Sequence, residues 1–197
     1  MKADALTLSE VMVPARGISR DVALVGSFAG LTALAAQVTI YLPFTPVPIS
    51  GQTFAVLLCG AVLGRRRGAA AQLFYIGLGS IGLPVFAGGG SGLPAGPSGG
   101  YIVGFVVAAY LVGLMAERGW DRRVSTACLA MLAGNITIYA FGLPWLACFV
   151  GGPPVKVLAL GLYPFIAGDF MKLALASALL PSTWRLIGGR SHSEGGQ

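Results

Sequence analysis

Two charged side chains, Asp169 and Lys172, stand inside the apolar stretch 162–180. An ionisable group in a hydrophobic span is costly to hold and is retained chiefly where it binds or moves something. Three residues apart on a helix, the two share one face. Two chemistries fit that spacing. One is a self-neutralising ion pair that locks helix packing. The other is an acceptor and a donor offered to a polar ligand in a low-dielectric pocket, the reading that an intramembrane location favours.

The elements that position this pair follow from composition. The chain has 197 residues, 55% of them hydrophobic and only 10% charged, and its mean hydropathy is +0.79. Soluble domains carry roughly 25% charged residues, and 30 glycines suit close-packed membrane helices. At about 20 residues per span, the length predicts an all-α membrane protein of six transmembrane helices. The spans are expected near 22–42, 51–64, 68–83, 100–116, 124–142 and 155–180. Pro164 then falls in the first turn of the final helix. A transmembrane domain over 22–184 is flanked by an N-terminal segment, 1–21, and a tail, 185–197. The first twenty residues are polar and mixed in charge, without the early apolar core of a cleavable signal peptide.

Charge placement sets the orientation. With the N-terminus in the cytoplasm, the inner segments hold Lys2, Arg16, Arg20, Arg65, Arg66, Arg67, Arg118, Arg122, Arg123, Arg185 and Arg190. Those are eleven of the thirteen basic residues, leaving Lys156 and Lys172, as the positive-inside bias requires. Asp4, Glu10, Asp21, Glu117, Asp121 and Glu194 fall in the same segments, so Asp169 is the single acid outside them. Both termini are expected in the cytoplasm, and clusters at span ends read as topology signals, not as a nucleic-acid surface. The outer connections, about 43–50, 84–99 and 143–163, are nearly uncharged and rich in Pro, Gly and aromatics. Such segments can close over a mostly apolar site.

Other chemistry is scarce. The single histidine, His192, lies in the tail, and the spans hold no pair of acids for acid/base work. Cys59, Cys128 and Cys148 lack metal-like or paired spacing, so no metal site, cofactor or catalytic residue is expected. The segment 88–100 lacks the Lys-Ser/Thr ending of a phosphate loop. It reads either as a flexible connector or as a covering loop whose glycines let backbone approach a ligand. At its end, the N–H groups of the helix start around Ser98 and Tyr101 can face a ligand. Gln52, Thr53, Gln72, Tyr75, Tyr101, Tyr110, Asn135, Tyr139 and Tyr163 are polar groups in or beside spans, several of them interhelical hydrogen-bonding groups. Gln52 and Tyr101 stand out at span starts beside outer loops. Lys156 reads as interfacial and snorkelling.

Four segments in order carry a resemblance: Pro46-Val-Pro-Ile-Ser-Gly-Gln-Thr53, Gly82-Leu-Pro-Val-Phe-Ala-Gly88, Gly96-Pro-Ser-Gly-Gly-Tyr101 and Pro164-Phe-Ile-Ala-Gly-Asp-Phe-Met-Lys172. Across nearly its whole length the chain resembles the BioY family, the biotin-capturing S components of energy-coupling-factor (ECF) transporters. The resemblance implies an S-component bundle in a bacterial cytoplasmic membrane, with biotin as transported substrate near the outer face. It also implies a transmembrane coupling subunit and two ATPase subunits as partners. Asp169 would accept from the ureido N–H and Lys172 would pair with the carboxylate or the ureido carbonyl. Gln52, Tyr101 and Ser98 would add hydrogen bonds, and Phe44, Phe86 and Tyr163 would wall the ring. Some relatives carry an amide-bearing residue just after the Pro-Val-Phe-Ala segment. Here Gly88-Gly-Gly-Ser91 stands there, so backbone groups, Ser91 or Ser98 would substitute. Small residues on the first span, Ala29 with Ala33 and Gly26 with Gly30, would form the coupling surface, or else pack within the bundle.

Two other function classes compete. A self-sufficient or ion-coupled secondary transporter would use Asp169 as its titrating group. An intramembrane enzyme is disfavoured by the missing nucleophile and base. A homo-oligomer in the lipid bilayer stays open.

Overall fold

The computed structural model describes residues 6–13 and 17–193, with side chains through 187. Of the charge map, Lys2, Asp4, Arg16 and Glu194 lie outside the described residues, and Arg190 and His192 beyond the described side chains. The chain is a bundle of α-helices: α1 Leu8–Met12, α2 Ile18–Gln37, α3 Gln52–Leu63, α4 Arg65–Ser80, α5 Gly99–Ala116, α6 Val124–Val150, α7 Pro154–Gly161 and α8 Tyr163–Ser193. Among the described residues, α2, α5, α6 and the Tyr163–Ile187 part of α8 are long and apolar enough to cross a membrane. The shorter α3 and α4 complete the six-helix set. A two-stranded antiparallel ribbon, β1 Thr39–Ile40 and β2 Ile49–Ser50, pairs Thr39 with Ser50 and Ile40 with Ile49 between α2 and α3.

Helix α5 is the central element, packed on α3, α4 and α6. Its small residues Gly104, Ala108, Ala109 and Gly113 are buried, which lets neighbouring backbones come close. A Cβ on Gly60 of α3 would stand 2.5 Å from the Ala109 carbonyl oxygen. The α3–α4 connection is a single residue, Gly64, at φ 81°, a region that disfavours side chains. Arg65–Arg67 therefore form the first turn of α4 and not a loop.

Three boundaries depart from the sequence expectation. Helix α2 ends at Gln37, not near 42, because the β-branched run Val38-Thr39-Ile40 enters the ribbon, where the Gly51 N–H reaches the Val38 carbonyl at 3.1 Å. Helix α6 runs through Pro144 to Val150, so most of the expected outer connection 143–163 is helical. A proline in a membrane helix is tolerated where neighbouring groups satisfy the freed carbonyl. The last apolar region divides at Leu162 into α7 and α8, and α8 continues through Pro181 past the expected end at 180.

Charges gather at one end of the bundle, hereafter the basic end. Arg67 pairs with Asp21 at 2.9 Å and with Glu10 at 3.4 Å, and Arg65 pairs with Glu117 at 3.1 Å. In the turn between α5 and α6, Asp121 is 2% exposed and accepts from Trp184 Nε1 of α8 at 2.6 Å, while the Arg122 guanidinium lies 4.6 Å from the Trp184 ring centre. Burial pushes the Asp121 carboxyl above the ordinary carboxylate range, opposed by its hydrogen bond from Trp184.

Two outcomes follow for thermal unfolding in detergent. Gly60→Ala should lower stability by about 1–3 kcal/mol through overpacking, whereas Gly30→Ala, with nothing within 4 Å of its Cβ, should not. For Asp121, a raised folded pKa means the folded state holds its proton more tightly than the unfolded state. The stability it contributes is complete below the unfolded pKa and is lost as pH rises through the folded one. Asp121→Asn keeps an acceptor for Trp184 but does not titrate. Wild type should therefore lose stability relative to the variant from about pH 4 upward, until Asp121 is fully ionised in the folded protein.

Candidate functional site

At the end opposite the arginines, a cavity of about 300 Å³ opens between the ribbon, the 81–98 connection and the first turns of α3, α5 and α8. That volume is at the lower end of small-molecule pockets, roughly 300–1,000 Å³. Asp169, Lys172, Gln52, Tyr101, Ser98 and Phe86 all line it, so six of the eight binding residues named from sequence meet in one place. Phe44 and Tyr163 do not line it. They are 59% and 54% exposed on the ribbon's loop and at the first residue of α8, and Phe105 and Phe165 stand in the wall instead. Short-range reasoning put aromatics near the site without knowing which side of the ribbon or of α8 turns inward.

The floor is polar. Asp169 is 8% exposed, and its Oδ1 lies 3.4 Å from Lys172 Nζ. That is longer than the roughly 2.7–2.9 Å of a tight charged hydrogen bond. Lys172 Nζ donates more closely to the Ser50 carbonyl at 2.8 Å and to Thr53 Oγ1 at 2.9 Å, which leaves its bond to Asp169 the longest of the three. The other carboxylate oxygen, Asp169 Oδ2, accepts the hydroxyl of Tyr139 from α6. Sequence reasoning named Tyr139 and Thr53 only among interhelical polar groups. The signal that would have promoted them is the requirement that a buried carboxylate and a buried ammonium each find neutral partners.

The remaining polar groups are mostly committed to the scaffold. Gln52 accepts from Ser50 Oγ at 2.8 Å and donates to the Tyr75 hydroxyl, which in turn donates to the Val85 carbonyl at 3.1 Å. That chain ties α3 to α4 and to the 81–98 connection. Tyr101 donates to the Gly161 carbonyl at 2.9 Å and lies edge-on to Tyr139, with centroids 6.2 Å apart. A Cβ on Gly142 would stand 2.4 Å from the Tyr101 ring, so the glycine leaves room for that ring. Ser98 precedes α5 without a capping bond from its side chain.

Single hydrogen bonds hold the cover together. Tyr41 donates to the Ala87 carbonyl at 3.3 Å, Thr45 to the Leu160 carbonyl at 2.7 Å, and Trp145 to the Gly96 carbonyl at 3.0 Å. The 88–100 segment is tied in by Gly92 N–H to Gly79 O at 2.8 Å and includes Gly90 and Ser91 in the lining. It is a wall of the cavity.

The small residues of α2 divide between two faces. Ala29 is fully buried and Ala33 packs on the core. Gly26 and Gly30 have nothing within 4 Å of a Cβ and leave an open strip along the helix.

The floor yields a stability test. Asp169→Leu leaves the Lys172 ammonium without a counter-charge and should cost roughly 1–3 kcal/mol in detergent. Adding Lys172→Met should recover most of that loss, because an apolar pair needs no mutual compensation.

A sequence model of the BioY family matches residues 4–189. The chain is 39% identical over 171 residues to a biotin transporter BioY of Rhizobium etli, covering 82% of this chain and 91% of the relative. It is 41% identical over 160 residues to a probable biotin transporter BioY of Pyrococcus horikoshii, covering 80% and 92%. A crystal structure of the S-component for biotin from an ECF-type ABC transporter superposes with a TM-score of 0.75 at 25% identity, covering 87% of this chain and 95% of that one. With most of its length matched by the family model and by curated relatives alike, the chain belongs to the BioY family.

Proposed function

We propose that this protein is the biotin-capturing subunit of a transporter and that the cavity floored by Asp169 and Lys172 is its substrate site. The observation that carries the reading is the floor itself. An acceptor and a donor stand side by side at the bottom of a largely apolar cavity, in a chain of the BioY family. Biotin combines a neutral ureido edge, an apolar thioether ring and an anionic tail. The ureido N–H fits Asp169 Oδ1, and its carbonyl fits Lys172 Nζ. Phe86, Phe105 and Phe165 suit the ring. The carboxylate then points toward Ser98 and the start of α5, where the positive end of the helix favours an anion. Biotin is the cargo in this reading and not a cofactor of chemistry.

Similarity to the ECF-type structure supports association with ECF subunits, here a membrane coupling subunit and two ATPases. The open strip of Gly26 and Gly30 on α2 is the part of the named coupling surface that stays accessible. The positive-inside bias supports placing the basic end and both termini in the cytoplasm, with the cavity facing out of a cytoplasmic membrane.

Purified protein should bind radiolabelled biotin in equilibrium dialysis. Asp169→Asn should weaken that binding by roughly a hundredfold, the worth of a hydrogen bond to a charged acceptor, while membrane insertion is unchanged. Unaltered affinity would remove Asp169 from the site, and no binding by the unchanged protein would remove biotin. Uptake into vesicles only when coupling and ATPase subunits are added would support the partnership. Uptake by this chain alone on a pH gradient would replace it with ion-coupled transport.

A further inference from the structure

The carboxylate and the ammonium at the cavity floor form an ion pair, but a long one, with Lys172 Nζ donating to Asp169 Oδ1 at 3.4 Å. Lys172 Nζ is drawn toward α3 by the Ser50 carbonyl at 2.8 Å and Thr53 Oγ1 at 2.9 Å. Asp169 is drawn the other way, toward α6, by the Tyr139 hydroxyl on Oδ2. Between these tethers the pair is stretched to 3.4 Å. Tyr139 is well placed to pull. Its ring stands edge-on to Tyr101 at an interplanar angle of 86°, and Tyr101 is itself pinned to the Gly161 carbonyl. The hydroxyl therefore approaches Asp169 from a fixed direction, set by α5 and α7 as well as α6.

We propose that Tyr139 is a positioning residue for ligand recognition, holding Asp169 out of a closed ion pair with Lys172. Oδ1 and Nζ are thereby left side by side as a ready acceptor and donor. The proposal rests on the biotin reading above and adds a residue that acts through Asp169. A closed pair would have to be broken before a ureido edge could enter, and that cost would come out of the affinity. Tethered apart, the two groups meet the adjacent N–H and C=O of a cyclic urea without rearrangement, which is preorganisation in the ordinary thermodynamic sense. With the hydroxyl gone, the carboxylate is free to swing onto Lys172, and each group then satisfies the other.

The test is the affinity of Tyr139→Phe in full-length protein, alone and combined with Asp169→Asn, for biotin and for dethiobiotin. Dethiobiotin keeps the ureido edge and lacks the sulfur ring. The single variant is expected to weaken biotin by roughly tenfold, the cost of separating a collapsed ion pair before the ureido edge enters, and dethiobiotin by the same factor. In the Asp169→Asn background the tyrosine change should add less than about twofold, because neighbours that act through one another are not additive. Gel filtration and the thermal midpoint establish that the variants fold. Equal affinity in wild type and Tyr139→Phe overturns the role, as does an undiminished loss in the Asp169→Asn background. A loss for biotin without one for dethiobiotin also overturns it, since that pattern marks the ring as packing against the sulfur. Absence of biotin binding in the unchanged protein instead overturns the ligand assignment.

Discussion

The stretched ion pair at the cavity floor is the constraint around which the surrounding structure is arranged. Two unit charges in a poorly solvated place are tolerable only when each has further partners. Here those partners arrive from separate elements: Ser50 at the end of β2, Thr53 in the first turn of α3, and Tyr139 in the middle of α6. The helix carrying both charges, α8, is thus joined at this level to the ribbon, α3 and α6. At the other end of α8, Trp184 is held by Asp121 and stacked under Arg122. One long helix is fastened near both ends, with mainly apolar packing between.

The ribbon exists because α3 is short. Twelve residues rise about 18 Å, well under the roughly 30 Å of a hydrocarbon core. In a bilayer the rest of the thickness on that side would be filled by β1, β2 and the segment between them. Non-helical backbone at such depth must be satisfied by protein and not lipid. That requirement accounts for the Lys172 bond to a carbonyl, the Thr45 bond to Leu160, and the Gly51 N–H bond to Val38.

Much of the fold was legible in hydropathy and charge, because a membrane imposes both strongly. The six spans, the helix starting beside Pro164 and the gathering of arginines at one end all follow from composition and spacing. Where apolar run length was the only guide, it misled: α6 passes through Gly142 and Pro144, and Leu162 divides α7 from α8. The site was legible where a residue type was anomalous. Asp169 and Lys172 are out of place in any span, and Gln52 and Tyr101 are polar at span starts. Aromatic residues gave a weaker signal, since they are common at membrane interfaces: Phe86 lines the cavity, and Phe44 and Tyr163 do not. Tyr139 was visible only as a polar group within a span, because its meaning depends on a carboxylate thirty positions later in the chain.

The shortness of α3 has an electrical side. Its basic-end terminus adjoins the arginines, so its other end, beside which Lys172 is anchored to Thr53, lies about 18 Å from them along the helix. In a bilayer with a core near 30 Å and the arginines at one interface, the floor of the cavity would lie about 12 Å beneath the other. With the cavity facing outward as proposed, a group brought to the floor would cross part of the membrane voltage, and a full elementary charge moved through all of it does work of about 2.3 kcal/mol per 100 mV. A ligand that enters neutral end first, leaving its anionic tail at the mouth, moves almost no charge through that field. Capture in this orientation would be nearly indifferent to membrane potential, with any electrical work deferred to the step in which the tail follows.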